Sequence, residues 1–176
     1  ASAPAIRLVD SHCHLDFPDF AGELPQVIAR AQAAGVSRMV TICTKLRNAE
    51  QVRAIADAHR PVFWAAGTHP MSAADEPMAT PEDLTTLASH PKLVGIGETG
   101  LDYHYTAESA AIQAESLRVH IEAARRTDLP LIIHARDADL DMARILTDEY
   151  SAGAYRCVMH CFSSGADLAR ARSAPL

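Results

Sequence analysis

The sequence lacks features that mark three broad kinds of protein. It has no basic excess, since 16 Lys and Arg stand against 22 Asp and Glu, for a formal net charge of −6. A broad basic face that gathers phosphates by counterion release is therefore excluded, whereas nucleic acid held through bound metal ions is not. No apolar run approaches the ~18 residues of a membrane span, and residues 1–10 contain no signal-peptide pattern.

Cysteine is sparse, and its spacing contains no C-x-x-C pair. The four cysteines lie in apolar or strand-like segments, at Cys13, Cys43, Cys157 and Cys161. This pattern indicates reduced, mostly buried thiols, and we expect a cytosolic protein. With 48% hydrophobic residues in 176, the composition is globular, and the length suits a single domain over residues 1–176.

Short apolar runs alternate with amphipathic stretches along the chain. The runs predict strands at Ile6–Asp10, Ser37–Cys43, Pro61–Ala66, Leu93–Ile96, Leu131–His134 and Tyr155–Met159. The stretches between and after them predict helices at about 22–34, 48–59, 81–89, 108–127, 138–149 and 165–172. The continuous apolar run at 131–133 is typical of a strand covered on both faces, hence of a parallel sheet. Six βα units of this kind predict an α/β fold.

Ligand-type side chains follow five of the six predicted strands, namely His12 and His14, His69, Glu98, His134, and His160. In α/β barrels, catalytic residues come from the C-terminal ends of several strands. A doubly wound sheet gathers its ligands mainly at one switch point and needs fewer such strand ends. The distribution favours a TIM-barrel-type fold.

The same residues suit a metal site. His12 and His14 are two positions apart, so at a strand end both imidazoles can reach one ion at ~2.0–2.2 Å. Glu98 is flanked by glycines that predict a tight turn, and one carboxylate between two ions can bind each with one oxygen. His134 and His160 each end an apolar strand, where a core histidine would need a hydrogen-bond partner. Singly, each residue could be an ordinary loop or core residue; together they favour metal binding.

One motif match is misleading. Residues 95–100, Gly-Ile-Gly-Glu-Thr-Gly, formally fit the dinucleotide fingerprint G-x-G-x-x-G. Glu98 would place a carboxylate where the pyrophosphate binds, and the next residues do not open a helix at once. We therefore reject dinucleotide binding.

Five segments in order, VDSHCHLD, GTHP, GIGETGLDY, IIHARD and MHCFSSG, resemble the signature of the TatD-type metal-dependent deoxyribonucleases, which are amidohydrolase-like TIM barrels. The resemblance runs from about Leu8 to Gly165. It implies two divalent ions, the first held by His12 and His14, the second by His134 and His160, with Glu98 bridging them.

The resemblance also implies a function, the hydrolysis of DNA phosphodiester bonds by a water molecule activated between the two metals. Glu98 and His69 would be catalytic, His69 would line the pocket near the scissile phosphate, and Arg136 would contact a phosphate. The mixed ligands allow Zn, Mn or Mg. Two alternatives remain, an amidohydrolase-like enzyme that cleaves an amide or ester and an inactive barrel fragment.

The sequence departs from the family pattern near its end. The family barrel has eight units and closes its first metal site with an aspartate after a late strand. This sequence shows about six units and no such aspartate before Leu176, so we expect a domain that is incomplete at its C-terminus. We interpret the remaining histidines as surface or packing residues: His59, His90, His104 and His120.

Overall fold

A computed structural model describes residues 7–173 of the chain. Its strands are β1 (Leu8–Cys13), β2 (Val36–Ile42), β3 (Val62–Ala66), β4 (Leu93–Asp102), β5 (Leu131–Arg136) and β6 (Cys157–Met159). Its α-helices are α1 (Leu24–Ala33), α2 (Ala49–Ala58), α3 (Pro81–Ala88), α4 (Ala110–Thr127), α5 (Asp139–Ala152) and α6 (Ala166–Ser173). Short 3-10 helices lie at Pro18–Phe20, Leu46–Asn48, Pro70–Ser72 and Ala107–Ser109.

The six strands form one sheet in which every neighbouring pair is parallel and spatial order follows chain order from β1 to β6. A doubly wound sheet would reverse its strand order at a switch point. An unbroken sequential order with a helix after each strand is instead that of a barrel. The predicted α/β fold of TIM-barrel type, with six βα units, is confirmed.

The two faces of the sheet have different surroundings. Beneath the helices lies the main core, whose largest members include Trp64, Leu101, Leu117, Ile133 and Leu146. The opposite face carries a smaller buried cluster of Ile42, Ala65 and Ile132. Because side chains alternate along a strand, His134 shares the face of Ile132 and not that of Ile133. The His134 side chain at this end of β5 thus points to the face of the sheet that carries Ile42, Ala65 and Ile132, opposite the helices.

The prediction for β4 is wrong after Ile96. The segment 97–102 continues the strand and is buried throughout, so Glu98 lies within the strand and not in a glycine turn. The glycines instead allow a close approach of β5, since a Cβ on Gly100 would lie 1.9 Å from the carbonyl oxygen of His134. The formal dinucleotide motif is therefore strand interior and not a strand-to-helix turn.

β1 and β5 also run further than their apolar residues predict. β1 extends to Cys13 and pairs there with Thr41 of β2, which places His12 within the strand. Ile6, where the predicted strand begins, lies outside the described residues. β5 continues past His134 to Arg136. In both strands the last residues include polar ones, of which His12 and His134 face the site and not the core, so an apolar run ends too early to mark them.

The helices follow their predicted ranges to within about three residues. Thr80 caps α3 in a capping box, in which its hydroxyl accepts from the Asp83 N–H at 3.2 Å and Asp83 accepts from the Thr80 N–H at 2.8 Å. Gly35, directly after α1, has φ +98°, as expected of a glycine that ends a helix. Within residues 7–173, none of the helices has the length and apolar character needed to span a bilayer.

Candidate metal centre

Glu98 on β4 lies at the centre of a histidine cluster. Its side chain is 4% exposed, and its two oxygens face different histidines. Oε2 lies 3.2 Å from His12 Nε2, whereas Oε1 lies 3.4 Å from His134 Nδ1 and 3.8 Å from His69 Nε2. Burial alone would raise the pKa of Glu98, but the facing rings of His12, His134 and His69 outweigh it and hold that pKa well below its usual range. Glu98 is therefore a carboxylate with imidazoles on both sides.

The β1 end supplies two imidazole nitrogens. His14 Nδ1 lies 3.3 Å from the carbonyl oxygen of Ile42, which can only accept a hydrogen bond, so Nδ1 carries the proton and Nε2 is free to act as a ligand. His12 Nε2 is buried and, despite its distance of 3.2 Å from Glu98, makes no hydrogen bond of acceptable geometry. A buried polar atom without a partner costs free energy, and a cation between His12 and Glu98 would relieve that cost.

His134 is oriented by a second, fully buried carboxylate. Its Nε2 donates to Asp102 Oδ2 at 2.9 Å, while Asp102 Oδ1 accepts from the Tyr105 N–H at 2.8 Å. Burial alone would raise the pKa of Asp102, but these two hydrogen bonds lower it below its ordinary value. When the ring is neutral, its proton lies on Nε2 and Nδ1 presents its lone pair towards Glu98. Burial opposes charge on His134, yet Glu98 and Asp102 raise its pKa above the ordinary value. A cation bound at Nδ1 would take the place of the second ring proton.

His69 has the opposite arrangement. Its Nδ1 accepts from the backbone N–H of Met71 at 3.2 Å, so a neutral ring carries its proton on Nε2, the atom that faces Glu98. Burial lowers the pKa of His69 to about 4, which keeps the ring neutral near pH 7. The backbone of this residue is also held in place, since the His69 N–H donates to the Thr44 carbonyl at 2.9 Å. His69 therefore offers an N–H donor rather than a free lone pair.

His160 and Arg136 lie at the edges of this cluster. The His160 ring stacks on that of His12, with centroids 3.4 Å apart and planes at 7°. Arg136 is exposed and its guanidinium lies 5.0 Å from the ring centroid of Tyr105. The sequence prediction grouped His160 with Glu98 and His134, but in the structure the third member beside those two residues is His69.

Two groups of potential ligands share Glu98 among the described residues. In each group, ligand atoms lie within 4.8 Å of one another: His12, His14 and Glu98 in one, and His69, Glu98 and His134 in the other. Imidazole and carboxylate donors suit Zn, Mn and related divalent ions. The unpartnered His12 Nε2 and the oriented Nδ1 of His134 fit such ions. His69 fits as a ligand only if its proton moves from Nε2.

Sequence reasoning missed Asp102. Its signal is strand alternation, because Glu98, Gly100 and Asp102 are successive same-face positions once β4 is extended to its full length. Outside the cluster, His104 is an exposed residue, whereas His90 and His120 are packing residues. His90 accepts from Trp64 Nε1 at 3.0 Å, and the fully buried His120 accepts from the Thr68 N–H at 3.0 Å while its Nδ1 donates to the Ser116 carbonyl at 2.7 Å.

A barrel-type sheet that gathers imidazoles and carboxylates at the C-terminal ends of its strands is an arrangement suited to metal-dependent hydrolases. A family model described as "TatD related DNase" matches residues 9–174. The chain belongs to this TatD-related family.

Individual relatives agree with this assignment. The chain is 38% identical to the "uncharacterized metal-dependent hydrolase YabD" of Bacillus subtilis (strain 168), over 93% of this chain and 64% of that protein. It is 33% identical to a protein of Enterobacter lignolyticus named "3'-5' ssDNA/RNA exonuclease TatD", over 91% and 61%. The crystal structure of the TatD homologue YjjV from Escherichia coli K12 superposes with a TM-score of 0.84 at 30% identity, over 94% and 64%. The chain thus spans less than two thirds of each relative.

Proposed function

We propose that the protein hydrolyses phosphodiester bonds of DNA with two divalent cations held around Glu98. The observation that carries this proposal is the position of the buried Glu98 carboxylate, which faces His12 with one oxygen and His134 with the other. A carboxylate so placed can contact two cations at once. His12, His14 and His134 each have a ring nitrogen available for coordination. His160, whose ring stacks on that of His12, would complete the ligands of the second cation with His134.

The chemistry divides between the cations and the side chains. Divalent ions held by these residues would lower the pKa of a bound water and stabilise negative charge on phosphoryl oxygens. Asp102 holds the proton on His134 Nε2 and so keeps Nδ1 turned inward. His69 directs its Nε2–H at the same space and would donate to a phosphoryl oxygen. Arg136, exposed at the strand end, would neutralise a neighbouring phosphate.

The comparisons support nucleic acid as the substrate class. The matching family model is described as a DNase, and one relative is named a single-stranded DNA and RNA exonuclease. A single domain and a cytosolic location belong to the same proposal. One contiguous core from Leu15 to Leu168 supports the first, and the lack of a disulfide between any cysteines of residues 7–173 supports the second.

The test combines metal counting with hydrolysis. We expect close to two Mn²⁺ or Zn²⁺ per chain by elemental mass spectrometry after removal of excess, together with cleavage of single-stranded DNA. Glu98→Gln keeps the size of the side chain but removes the charge, and should lose both metal and activity. The matched control is Glu115→Gln on the exposed face of α4, which should lose neither.

Three outcomes would contradict the proposal. Full DNA hydrolysis by the Glu98→Gln variant would show that Glu98, the central residue of the proposal, is not required. Cleavage of an activated amide or ester without cleavage of DNA would favour the amidohydrolase-like alternative. A chain that binds no metal and is unaffected by the Glu98 substitution would be an inactive fragment.

A further inference from the structure

Phe17, in the loop after β1, is an exposed aromatic residue that lies against the candidate metal centre. Its ring stacks on His14, with centroids 4.7 Å apart and planes at 16°. Despite that contact, Phe17 remains 43% exposed. An apolar ring left open to solvent next to a charged site requires an explanation beyond support for its neighbour.

The ring also lines a cavity that opens beside Glu98. This cavity has a volume of about 270 Å³ and is lined by Phe17, His14, Thr44, His69, Met71, Ser72 and Glu98. Met71, like Phe17, is 43% exposed. The volume lies just below the ~300–1,000 Å³ of pockets that enclose a drug-sized ligand, so the cavity suits one planar ring and its linkage rather than a longer segment. Its lining combines an apolar rim with a carboxylate and an N–H donor.

A nucleotide unit presents these two kinds of surface side by side. Its phosphate would lie against the cations held around Glu98 and beside the N–H of His69, and the face of its base would lie against an aromatic ring. Base–aromatic stacking is a recurrent and sequence-tolerant source of affinity for single strands. It also does not depend on charge, which matters for a chain of net charge −6 that has no broad basic face.

We infer that Phe17 is a stacking platform for the base next to the cleaved phosphate. This inference rests on the proposed phosphodiesterase function and adds a residue that selects the substrate. A paired base is stacked within its duplex and cannot lie on Phe17, whereas an unpaired base can.

The test compares two oligonucleotides with equal numbers of phosphates, a short oligothymidylate and an all-abasic strand of the same length. Binding to the Mn²⁺-loaded full chain is measured by fluorescence anisotropy, and cleavage is followed in parallel. The wild-type chain should bind the oligothymidylate roughly tenfold or more tightly than the abasic strand. Phe17→Leu, which keeps apolar bulk over His14, should remove that preference without loss of Mn²⁺, and Phe17→Tyr should retain it.

Tyr105→Leu is the matched control. Tyr105 is an exposed aromatic at the same end of the sheet, but it stacks with Arg136 and is not among the residues that line the cavity. Its loss should weaken both strands alike and leave the preference for bases intact.

Each remaining outcome overturns the inference in a recognisable way. A preference that survives in Phe17→Leu would show that the ring does not contact a base. Loss of Mn²⁺ together with the preference would reduce Phe17 to a support for His14. If the metal-loaded wild-type chain neither binds nor cleaves either strand, the proposed function is contradicted, and this inference with it.

Discussion

At the scale of single residues, hydrogen bonds decide which nitrogen of each histidine faces the centre. The Ile42 carbonyl fixes the proton of His14, and Asp102 fixes that of His134, so that both turn a lone pair inward. The Met71 N–H has the opposite effect on His69 and turns its N–H inward. Three similar imidazoles thereby present two different groups to the centre, a lone pair in two cases and an N–H in the third.

The first residue-scale prediction concerns Asp102→Asn. The Tyr105 N–H would hold the amide oxygen, so the NH₂ group would face His134 Nε2 and move the ring proton to Nδ1. We expect divalent metal affinity to fall by about 10- to 100-fold, as for other partners of metal-binding histidines. Isothermal titration with Mn²⁺ measures this change. Asp148→Asn, on the exposed side of α5, is the control and should titrate like the wild type.

The second residue-scale prediction is that His69→Gln separates activity from metal binding. If His69 acts as a donor, the variant keeps its full metal content while its hydrolysis of DNA falls by about a hundredfold or more. Elemental analysis and initial rates on the same preparation measure both quantities. Loss of one of two ions would instead identify His69 as a ligand.

At the scale of elements, the loop after β3 is held from two directions. A Cβ on Gly67 would lie 2.6 Å from backbone atoms of Gly97, so the loop and β4 are in direct backbone contact. On its other side, the neighbouring Thr68 N–H donates to His120 in the interior of α4. The position of His69 against Glu98 thus depends on a helix that contributes no residue to the candidate centre.

The His120 contact predicts a pH dependence of stability. Burial lowers the pKa of His120 to about 4, below its ordinary value of 6.5, so the unfolded chain binds this proton first as pH falls. The contribution of His120 is complete above about pH 6.5 and is lost between there and pH 4, amounting to about 2 kcal/mol by pH 5. Urea unfolding at pH 7.5 and pH 5 should show a smaller loss for His120→Gln than for the wild type.

The glycines of β4 give a second prediction at this scale. Gly100 has φ +146°, and a side chain there would collide with the His134 carbonyl, so Gly100→Ala should cost about 3 kcal/mol or more in the free energy of unfolding. Gly22 has φ +84° but nothing within 4 Å of its Cβ position, so Gly22→Ala should cost only about 1–2 kcal/mol. Denaturant unfolding of the two variants measures the difference, and equal costs would contradict the steric argument.

The elements also show what the sequence can and cannot predict. Apolar periodicity predicts the six βα units and the order of the sheet, because burial against helices requires that pattern. It fails at the ends of β1, β4 and β5, where strand residues face a polar site and carry polar side chains. For the same reason, the apolar pattern does not predict that Asp102 belongs to β4. Ring orientations such as those of His69 and His134 depend on backbone groups distant in sequence, and no local pattern predicts them.

At the scale of the whole molecule, the net charge of −6 predicts how DNA binding responds to salt. DNA bound, as proposed, through metal cations and one stacked base would release few counterions from its phosphates. A plot of log Kd against log salt should therefore rise with a slope of about 2 or less. Anisotropy titrations between 50 and 200 mM salt (about the range over which basic interfaces lose most of their affinity) provide the measurement. A steep slope would indicate a basic surface that the charge balance does not predict.

The stacked rings of His12 and His160 connect the first strand of the sheet with the sixth. The two rings meet only when β1 and the end of β6 both hold their places in the sheet, so the contact requires the two ends of the sheet to be formed. Because His12 also belongs to one of the two ligand groups, metal uptake depends on long-range assembly. Refolding followed by metal uptake should report such a long-range step, later than the appearance of helical structure.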